Sequence, residues 1–308
     1  MNFSPLFWPI ELRGNTIYIL DETLLPHKVK YIKAKNYQQA VAAIKEMKTR
    51  AVGQVLLVMY TFLLEIRKNK AKDLMPIVQV INAARPTLPF KVLTDMVLGW
   101  VKQGAPLEKS ILGFLEILKN KRIQQAQEAA KLINNGDCIL THCNISGQMP
   151  LIAQICKEQN KKISFFVTET RPYLQGMRLT AWELHNQGFE VTIITDNMVA
   201  FVMSEGKINK VIVGADHLAK NGDIANKIGT YQIALLARHF DIPFYVLCPP
   251  VSNSETGKDI KIEIRPDKEL LEYDGVRLAP KGVKAYYPAF DITPAQLISK
   301  HVYLEMAR

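Results

Sequence analysis

Four apolar segments in the second half of the chain are each followed by a residue that could do chemistry. Cys143, Glu169, Asp196 and Asp216 stand just after runs that are typical of buried strands. Ligands of an open parallel sheet bind beyond the carboxyl ends of its strands, so we expect these side chains to line one rim. A thiolate can act as a base, and a carboxyl group can donate or accept a proton. The pattern predicts an active site at this rim, with Cys143 and Asp216 at its core.

Each of these residue types also has a common structural role. Cys143 could be a buried thiol, because free cysteine is among the most buried residue types. Asp216 could cap the following helix, a frequent use of aspartate. The neighbouring His142 and His217 are of a type that is more often structural and hydrogen-bonded, and we predict no catalytic role for them. The crowding of ionisable groups at four consecutive strand ends favours the functional interpretation.

The elements that must position these residues alternate between strands and helices from Gly136 onward. The predicted strands are Cys138–His142, Ile163–Thr168, Glu190–Thr195, Lys210–Gly214 and Phe244–Cys248. Apolar residues at helical spacing predict helices over 149–159, 173–187, 197–205 and 225–239, and a last helix from Pro294. This alternation is typical of a parallel sheet covered by helices on both faces. The first strand is not followed by a Gly-x-Gly-x-x-Gly turn, which argues against an NAD-dependent enzyme.

The first 130 residues follow a different pattern. Residues 10–20 alternate around Gly14-Asn15, which predicts a β-hairpin. Helices are predicted over 37–48, 52–68, 74–83 and 88–103, and one long helix or two over 107–134. The predicted fold class is α/β, with a mainly helical N-terminal domain over 1–130 and a Rossmann-like catalytic domain over 131–308.

Composition excludes several classes of protein. The chain of 308 residues is 48% hydrophobic and 22% charged, which is ordinary for a soluble protein of two domains. It contains no run of about 18 apolar residues and no signal-peptide pattern, so we expect no membrane partner. Its four cysteines form neither a disulfide framework nor a metal-binding pattern. We therefore expect reduced thiols, a cytoplasmic location and no bound metal.

The net charge of +10 is concentrated in the first 130 residues, where Lys and Arg exceed Asp and Glu by nine. Such an excess could attract an anionic substrate or a nucleic acid. The lysines are scattered, however, which favours a solvated helical surface. We therefore do not expect a nucleic-acid partner.

Longer motifs surround the residues at the strand ends. They are THCN at 141–144, TETRPYLQGMRLTAWEL at 168–184, ITDN at 194–197, VGADHLAKNGDIANKIGTY at 213–231, IPFYV at 242–246 and YPAFDITPAQLI at 287–298, with LDETLLP at 20–26 and AIKEM at 43–47 near the N-terminus. Together they resemble the methylthioribose-1-phosphate isomerase family over nearly the whole chain. Ribose-1,5-bisphosphate isomerases and regulatory subunits of translation initiation factor 2B share this fold and some of the motifs.

The resemblance implies an aldose–ketose isomerase that acts on a sugar 1-phosphate in methionine salvage, forms a homodimer and needs no cofactor. It implies that Cys143 and Asp216 are the catalytic residues. It also implies five substrate-binding residues, two of them arginines that contact the phosphate: Arg50, Arg85, Gln175, Asn226 and Lys227.

These residue types suit the reaction. A phosphate on the anomeric oxygen locks the sugar as a ring, so an acid must protonate the ring oxygen before isomerisation. Asp216 could be this acid if burial raised its pKa enough to keep it protonated. Cys143 could then move a proton between C2 and C1 as a thiolate, or it could shape the site for a direct hydride shift. Both routes remain open at the level of sequence.

Three loops depart from the family pattern although the catalytic pair is kept. Residues 51–54 replace a glycine-containing turn, 88–91 replace small residues and an Asn, and 145–150 replace a Gly/Ala-rich loop. Because these loops would contact the phosphate or the 5-substituent, a 5-deoxypentose 1-phosphate or ribose 1,5-bisphosphate is an alternative substrate. A non-catalytic binding protein is a third interpretation, which the retention of both catalytic residues disfavours.

Overall fold

The computed structural model describes residues 2–68, 73–85 and 90–306. They form two compact units, Asn2–Lys121 and Arg122–Arg308. The boundary between these units lies within the helix Leu107–Ala130. The division of the chain into functional domains at 130/131 stays a prediction.

The N-terminal unit contains a small antiparallel sheet. Its strands β1 (Ile10–Arg13), β2 (Thr16–Leu20) and β3 (Tyr31–Ala34) pair in that order. The predicted hairpin is confirmed, and Gly14 in its turn has a φ of 55°, which glycine adopts without a Cβ penalty. A third strand, β3, extends the hairpin to a three-stranded sheet.

Five helices accompany this sheet along the chain. They are α1 (Tyr37–Lys45), α2 (Val52–Arg67), α3 (Met75–Ala84), α4 (Phe90–Lys102) and α5 (Leu107–Ala130), which crosses the boundary between the units. The predicted helices are confirmed with ends that differ by a few residues, and the segment 107–134 forms one long helix, not two. Residues 88 and 89 of the fourth predicted helix lie outside the described residues. α2 packs on β1 and β2, and Leu56 and Phe62 on this helix are fully buried. Apolar burial between α2 and the sheet therefore builds the core of this unit.

The C-terminal unit alternates strands and helices. In chain order its strands are β4 (Cys138–Thr141), β5 (Ser164–Thr168), β6 (Glu190–Ile194), β7 (Lys210–Gly214), β8 (His217–Leu218), β9 (Ile224–Lys227), β10 (Phe244–Cys248), β11 (Glu272–Tyr273), β12 (Val276–Arg277), β13 (Phe290–Thr293) and β14 (Lys300–Tyr303). Its helices are α6 (Gln148–Glu158), α7 (Ala181–Asn186), α8 (Val199–Ser204), α9 (Thr230–His239) and α10 (Lys268–Leu271), and a π-helical segment, Gly176–Thr180, leads directly into α7.

Six of these strands form one parallel sheet in the order β14-β10-β7-β4-β5-β6. The five strands predicted from the sequence are confirmed and are neighbours in this sheet. Side chains such as Val211 and Val213 of β7 pack with Ile233 of α9 in a buried apolar cluster. The strands that precede Cys143 and Asp216, β4 and β7, pair directly in the middle of the sheet.

Two of the predicted helices are wrong in part. The helix expected from Pro294 is a single 3-10 turn at Ala295–Leu297, followed by the sixth strand, β14. The helix expected over 225–239 begins only at Thr230, because residues 224–227 form β9. Gly229, with a φ of 104°, separates this strand from the helix, a conformation that glycine alone adopts readily.

A second, smaller sheet borders the rim of the parallel sheet. Its strands β13, β9 and β8 pair antiparallel in that order. The Asp216 N–H donates to the Ala225 carbonyl at 2.9 Å. Since Asp216 follows β7 and Ala225 lies on β9, this bond joins the smaller sheet to the carboxyl end of the larger one.

Candidate active site

Cys143 lies two residues beyond β4 with its backbone in the left-handed region, at a φ of 64°. Two threonines hold this conformation. The Cys143 N–H donates to Thr170 Oγ1 at 2.9 Å, and Thr180 Oγ1 donates to the Cys143 carbonyl at 2.6 Å. The residue is partly buried. Its position is therefore fixed jointly by the loop after β5 and by the π-helical segment.

Strained backbone is concentrated around Cys143. Nine of the described residues other than glycine have positive φ, and four of them, Cys143, Ser146, Thr170 and Leu174, lie in the two loops after β4 and β5. Such a conformation costs on the order of 1–3 kcal/mol per residue and persists where the surrounding structure enforces it. Strain of this kind clusters at functional sites, so the backbone itself supports a functional role for these loops.

The loop after β5 brings Gln175 close to the same place. The Asp196 carboxylate accepts the N–H groups of Thr170 and Arg171 at 2.8 and 2.7 Å and so orients this loop. Gly176 approaches so closely that an added Cβ would lie 2.8 Å from Thr170 Oγ1. Gln175 is 5% exposed, and its Oε1 accepts no hydrogen bond from any described residue. A buried acceptor without a donor is costly, and this oxygen is suited to receive a ligand hydroxyl.

A buried polar network, which no local motif in the sequence reveals, supports the loop after Cys143. Asn144 Nδ2 donates to the Glu183 carboxylate at 2.7 Å, and the Arg122 guanidinium donates to the Ser146 carbonyl at 2.6 Å. Arg122 and Glu183 are both buried. Burial lowers the pKa of Arg122 to about 10, while the Glu183 charge acts in the opposite direction. The loop is thus held from α5 and α7, far from it in sequence.

The altered loop after Cys143 places an apolar side chain against β7. A Cβ added to Gly214, the last residue of β7, would lie 3.1 Å from Ile145 Cγ2. Ile145 therefore packs on bare backbone where β7 ends. The altered loop at residues 145–150 thus places a branched apolar side chain at the carboxyl end of β7.

Asp216 occupies an open position two residues beyond β7. The residue is exposed. The carboxyl group is therefore in contact with solvent in the protein alone. Because β4 and β7 pair directly, Asp216 and Cys143 leave adjacent strand ends. The structure brings the two candidate residues to one rim, with Cys143 braced and Asp216 exposed.

Asn226 and Lys227 end the strand β9. Asn226 is buried, and its Nδ2 donates to Thr230 Oγ1 at 2.9 Å. The same hydroxyl donates to the Lys227 carbonyl at 2.7 Å. Lys227 Nζ lies 4.8 Å from the centre of the Phe290 ring, within the range of a cation–π contact. Both predicted substrate-binding residues therefore stand at the end of β9, where Thr230 links them to the start of α9.

His142 connects the turn between β9 and α9 to the strand of Cys143. Its buried ring places Nε2 2.9 Å from the Ile228 carbonyl and Nδ1 2.7 Å from Thr168 Oγ1. Burial lowers the pKa of His142, although the Asp196 charge opposes this. The ring is therefore neutral at neutral pH, with Nε2–H donating to the carbonyl and Nδ1 accepting the hydroxyl. These contacts fit a structural role for His142, and the absence of a catalytic role stays a prediction.

Tyr287 is a further buried group near this rim, and it is 5% exposed. Burial raises the pKa of its phenol, and the negative charge of Glu269 raises it further, as ionisation of Cys143 would. The Tyr287 hydroxyl therefore stays protonated and can donate a hydrogen bond. Tyr287 begins the motif at 287–298, but the motif by itself assigns this tyrosine no role.

The two predicted phosphate-binding arginines lie in the N-terminal unit. Arg50 Nε donates to the Glu22 carboxylate at 3.1 Å, and the Arg85 guanidinium lies 2.9 Å from Met47 Sδ. Met47 precedes Arg50 by three residues, so both arginines belong to one region of this unit. Ala51 has a φ of 44° and a ψ of −120°, which glycine adopts more readily. The altered turn at 51–54 thus keeps a glycine-like backbone without a glycine at this position.

The family of the chain follows from comparison with known proteins. Residues 38–303 match the initiation factor 2 subunit family. The chain belongs to this family. The matched range includes most of the N-terminal unit and the whole rim of the parallel sheet. All the candidate site residues therefore lie within it.

Two kinds of relatives share this architecture. A protein of Thermosipho melanesiensis named methylthioribose-1-phosphate isomerase is 38% identical over 94% of this chain and 91% of its own. The crystal structure of 5-methylthioribose 1-phosphate isomerase from Pyrococcus horikoshii OT3 aligns with a TM-score of 0.85 at 30% identity, over 98% of this chain and 93% of that chain. Translation initiation factor eIF-2B subunit delta from A. fulgidus gives a TM-score of 0.81 at 32% identity, over 96% and 94%. The predicted α/β fold is confirmed. Because isomerases and an initiation-factor subunit share it, the fold alone does not distinguish the two functions, and the residues of the site must do so.

None of the helices in the described ranges is long and apolar enough to cross a membrane. The four cysteines, Cys138, Cys143, Cys156 and Cys248, are free thiols. Burial raises the pKa of Cys156 to about 11 and that of Cys248 to about 12. These two thiols are therefore unreactive at neutral pH.

Proposed function

We propose that the protein isomerises methylthioribose 1-phosphate to methylthioribulose 1-phosphate, an aldose–ketose isomerisation of methionine salvage. The observation that carries this proposal is the conformation of Cys143, a thiol held at positive φ at the carboxyl end of a central strand. Its backbone energy is raised, and a protein that only binds a partner has no need for a thiol in such a position. Relatives named for this activity support the same function.

The first chemical step opens the sugar ring. The Asp216 carboxyl group donates its proton to the ring oxygen, and the bond between this oxygen and C1 breaks. Because Asp216 is exposed, we infer that bound substrate covers the carboxyl group and supplies the desolvation that keeps it protonated.

The second step moves a hydrogen from C2 to C1. By one route the Cys143 thiolate removes the C2 proton, and the electron pair forms a double bond to the cationic C1. The Cys143 thiol then returns a proton to C1 while the 2-hydroxyl group gives its proton to the Asp216 carboxylate, which leaves a ketone at C2. By the other route the hydrogen moves with its electron pair from C2 to the cationic C1, and the 2-hydroxyl group gives its proton to the Asp216 carboxylate. Reaction in D2O separates the routes, since only the first can place solvent deuterium on C1 of the product.

The remaining candidate residues match the polar groups of the substrate. Gln175 offers a buried oxygen to a sugar hydroxyl. Asn226 and Lys227 offer an amide and an ammonium group at the end of β9. Arg50 and Arg85 offer guanidinium groups, which bind phosphate through paired hydrogen bonds.

Turnover of a panel of sugar phosphates tests the proposed substrate. We expect ketose formation from methylthioribose 1-phosphate by the purified chain. Turnover of only a 5-deoxypentose 1-phosphate or ribose 1,5-bisphosphate would replace this substrate by another, in line with the altered loops at 51–54 and 145–150. Binding of these sugars without any turnover would instead identify the chain as a non-catalytic relative.

Asp216→Asn tests the acid. We expect kcat to fall on the order of 10²–10⁴-fold, the usual contribution of a general acid. Asp241→Asn is the matched control, because Asp241 is an exposed aspartate before the amino end of β10, away from the rim, and its substitution should leave kcat unchanged. Full activity of Asp216→Asn would remove this carboxyl group from the mechanism.

We also infer that the protein is a cytoplasmic homodimer. Exposed apolar side chains on or beside β6, α8 and α9 support the dimer: Ile193, Met198, Phe201, Tyr231 and Leu235. Exposed apolar side chains that form a contiguous patch mark association surfaces. The free cysteines fit a reducing compartment. Sedimentation equilibrium that returned the mass of one chain would contradict the dimer.

A further inference from the structure

Asp291 lies on β13, in the strand register opposite Asn226. Its carboxylate reaches the first turn of α9, where Oδ2 accepts the Gly229 N–H at 2.7 Å and Oδ1 accepts the Tyr231 N–H at 3.1 Å. The first N–H groups of a helix have no partner within the helix. A residue some 60 positions away in sequence thus caps α9 and fixes the turn that leads into it.

This turn carries both candidate substrate-binding residues of β9. Asn226 and Lys227 are each linked to Thr230, Asn226 through its side chain and Lys227 through its carbonyl. The residue before Asp291, Phe290, supports the Lys227 ammonium group through its ring. The position of both side chains therefore depends on the segment that Asp291 holds.

A second contact braces the turn from the side of Cys143. His142 Nε2 donates to the Ile228 carbonyl at 2.9 Å. A Cβ at Gly229 would lie 3.2 Å from the His142 ring, so the turn approaches this ring as closely as glycine permits. With Asp291 on one side and His142 on the other, the turn is clamped between the smaller sheet and the strand of Cys143.

Stability alone does not account for an ionised carboxylate at this position. Burial raises the pKa of Asp291 to about 6, although the Gly229 and Tyr231 N–H groups and the Lys227 charge act in the opposite direction. Its charged form is thus less favourable in the fold than in water. Replacing Asp291 by the isosteric, uncharged Asn should leave the protein folded, because one side-chain oxygen still accepts a backbone N–H.

We infer that Asp291 is a positioning residue, whose carboxylate sets Asn226 and Lys227 in the geometry that binds the phosphorylated substrate. The inference rests on the proposed function, and it assigns to Asp291 no contact with the reacting atoms. Its consequence is specific: loss of the carboxylate weakens substrate binding more than it slows the chemical step.

Asp291→Asn and Asp223→Asn form a matched pair for the test. Asp223 also accepts two backbone N–H groups, from Gly257 at 3.0 Å and Ala295 at 2.9 Å, in the same unit. Burial opposes the effect, but the hydrogen bond from Asn221 and those from the backbone lower the pKa of Asp223. Both substitutions remove a carboxylate that accepts two backbone N–H groups. Only the Asp291 carboxylate contacts the segment 227–231.

KM and kcat for methylthioribose 1-phosphate are measured for the wild-type protein and both variants. We expect Asp291→Asn to raise KM on the order of tenfold or more with a smaller change in kcat, as misplacement of a binding group does. Asp223→Asn should match the wild type. An unchanged KM in Asp291→Asn, or an equal rise in Asp223→Asn, would overturn the inference.

Two further measurements separate this inference from the proposed function. In a Lys227→Ala background, Asp291→Asn should raise KM less than it does in the wild type, because the residues act as one unit; full additivity would contradict the inference. Calorimetric binding of methylthioribose 1-phosphate to Cys143→Ser chains requires no turnover. Weaker binding with Asp291→Asn, but not with Asp223→Asn, would support the positioning role even if the wild-type protein converted no substrate, and equal binding by all chains would refute it.

Discussion

Cys143 and Ala51 share an unusual backbone conformation in two different settings, one in each unit. Both are residues other than glycine with positive φ, 64° for Cys143 and 44° for Ala51. Thr170 and Thr180 bond the backbone of Cys143 on both sides. Ala51 stands before α2 without a side-chain capping bond, next to Arg50. One strained residue carries a thiol, and the other carries only a methyl group.

The strained backbone at Cys143 carries a group that can react. The strained backbone at Ala51 has a conformation that suits glycine, and no reactive group depends on it. Removing the strain at Cys143 by glycine also removes the thiol. Removing it at Ala51 restores the residue type that the backbone conformation favours and deletes no reactive group. The two positions therefore respond to the same substitution with opposite consequences for activity.

The largest effect is expected at Cys143. Cys143→Ala and Cys143→Ser should each lower kcat/KM by about 10³-fold or more, because both remove the thiol that acts as the base by one route and shapes the site by the other. Their Tm should stay close to that of the wild type, since both side chains keep a Cβ and the bonds of Thr170 and Thr180 involve backbone atoms. Activity assays and thermal unfolding check the two halves of this prediction. If Cys143→Ala kept its activity, the thiol would have no part in the reaction and the strained backbone at this position would be structural only.

A smaller effect is the pH dependence of stability. We expect part of it to come from His142, the neighbour of Cys143. Burial lowers the pKa of His142 from 6.5, so below this pH the unfolded chain binds a proton that the fold excludes. Stability therefore falls as the pH drops below 6.5 and the unfolded histidine becomes charged. His142→Gln should remove this part of the fall in Tm between pH 7.5 and 5. An identical slope in the variant would exclude His142 as its origin.

Asp291 acts on stability in the opposite sense. Its pKa in the fold is about 6 against 3.8 ordinarily, so the folded protein takes up a proton as the pH falls through 6, and this uptake adds stability. Asp291→Asn should therefore steepen the acid-side loss of Tm that His142→Gln makes shallower. A shallower loss in both variants would contradict the assignment of Asp291.

The smallest effect is expected at Ala51. Ala51→Gly should raise the free energy of unfolding by about 1 kcal/mol, because relief of the strained conformation exceeds the entropy that glycine adds to the unfolded chain. Ala42→Gly, on an exposed position of α1, should lower it by roughly 0.5–1 kcal/mol. Chemical denaturation measures both. Destabilisation by both substitutions would show that Ala51 carries no removable strain.

The sequence by itself determined the elements whose pattern is local. The alternation around Gly14 predicted the hairpin, and the apolar runs from Cys138 to Cys248 predicted five strands that the structure confirms. Strand ends also predicted that Cys143 and Asp216 would share a rim, because parallel strands all end at one edge. Periodicity and chain direction suffice for such inferences, since neither depends on which distant segments meet.

Only the tertiary structure decided what depends on distant partners. The segment 300–303 is a strand because it pairs with β10, and 224–227 is a strand because it pairs with β13 and β8. Arg122 reaches the site from a segment whose own sequence gives no sign of it. The motif at 287–298 contains Asp291, but it does not show that this residue caps α9. The backbone of Cys143 is likewise held by residues 27 and 37 positions away. Hydrogen bonds and burial between remote segments set these features, and a local pattern carries no record of them.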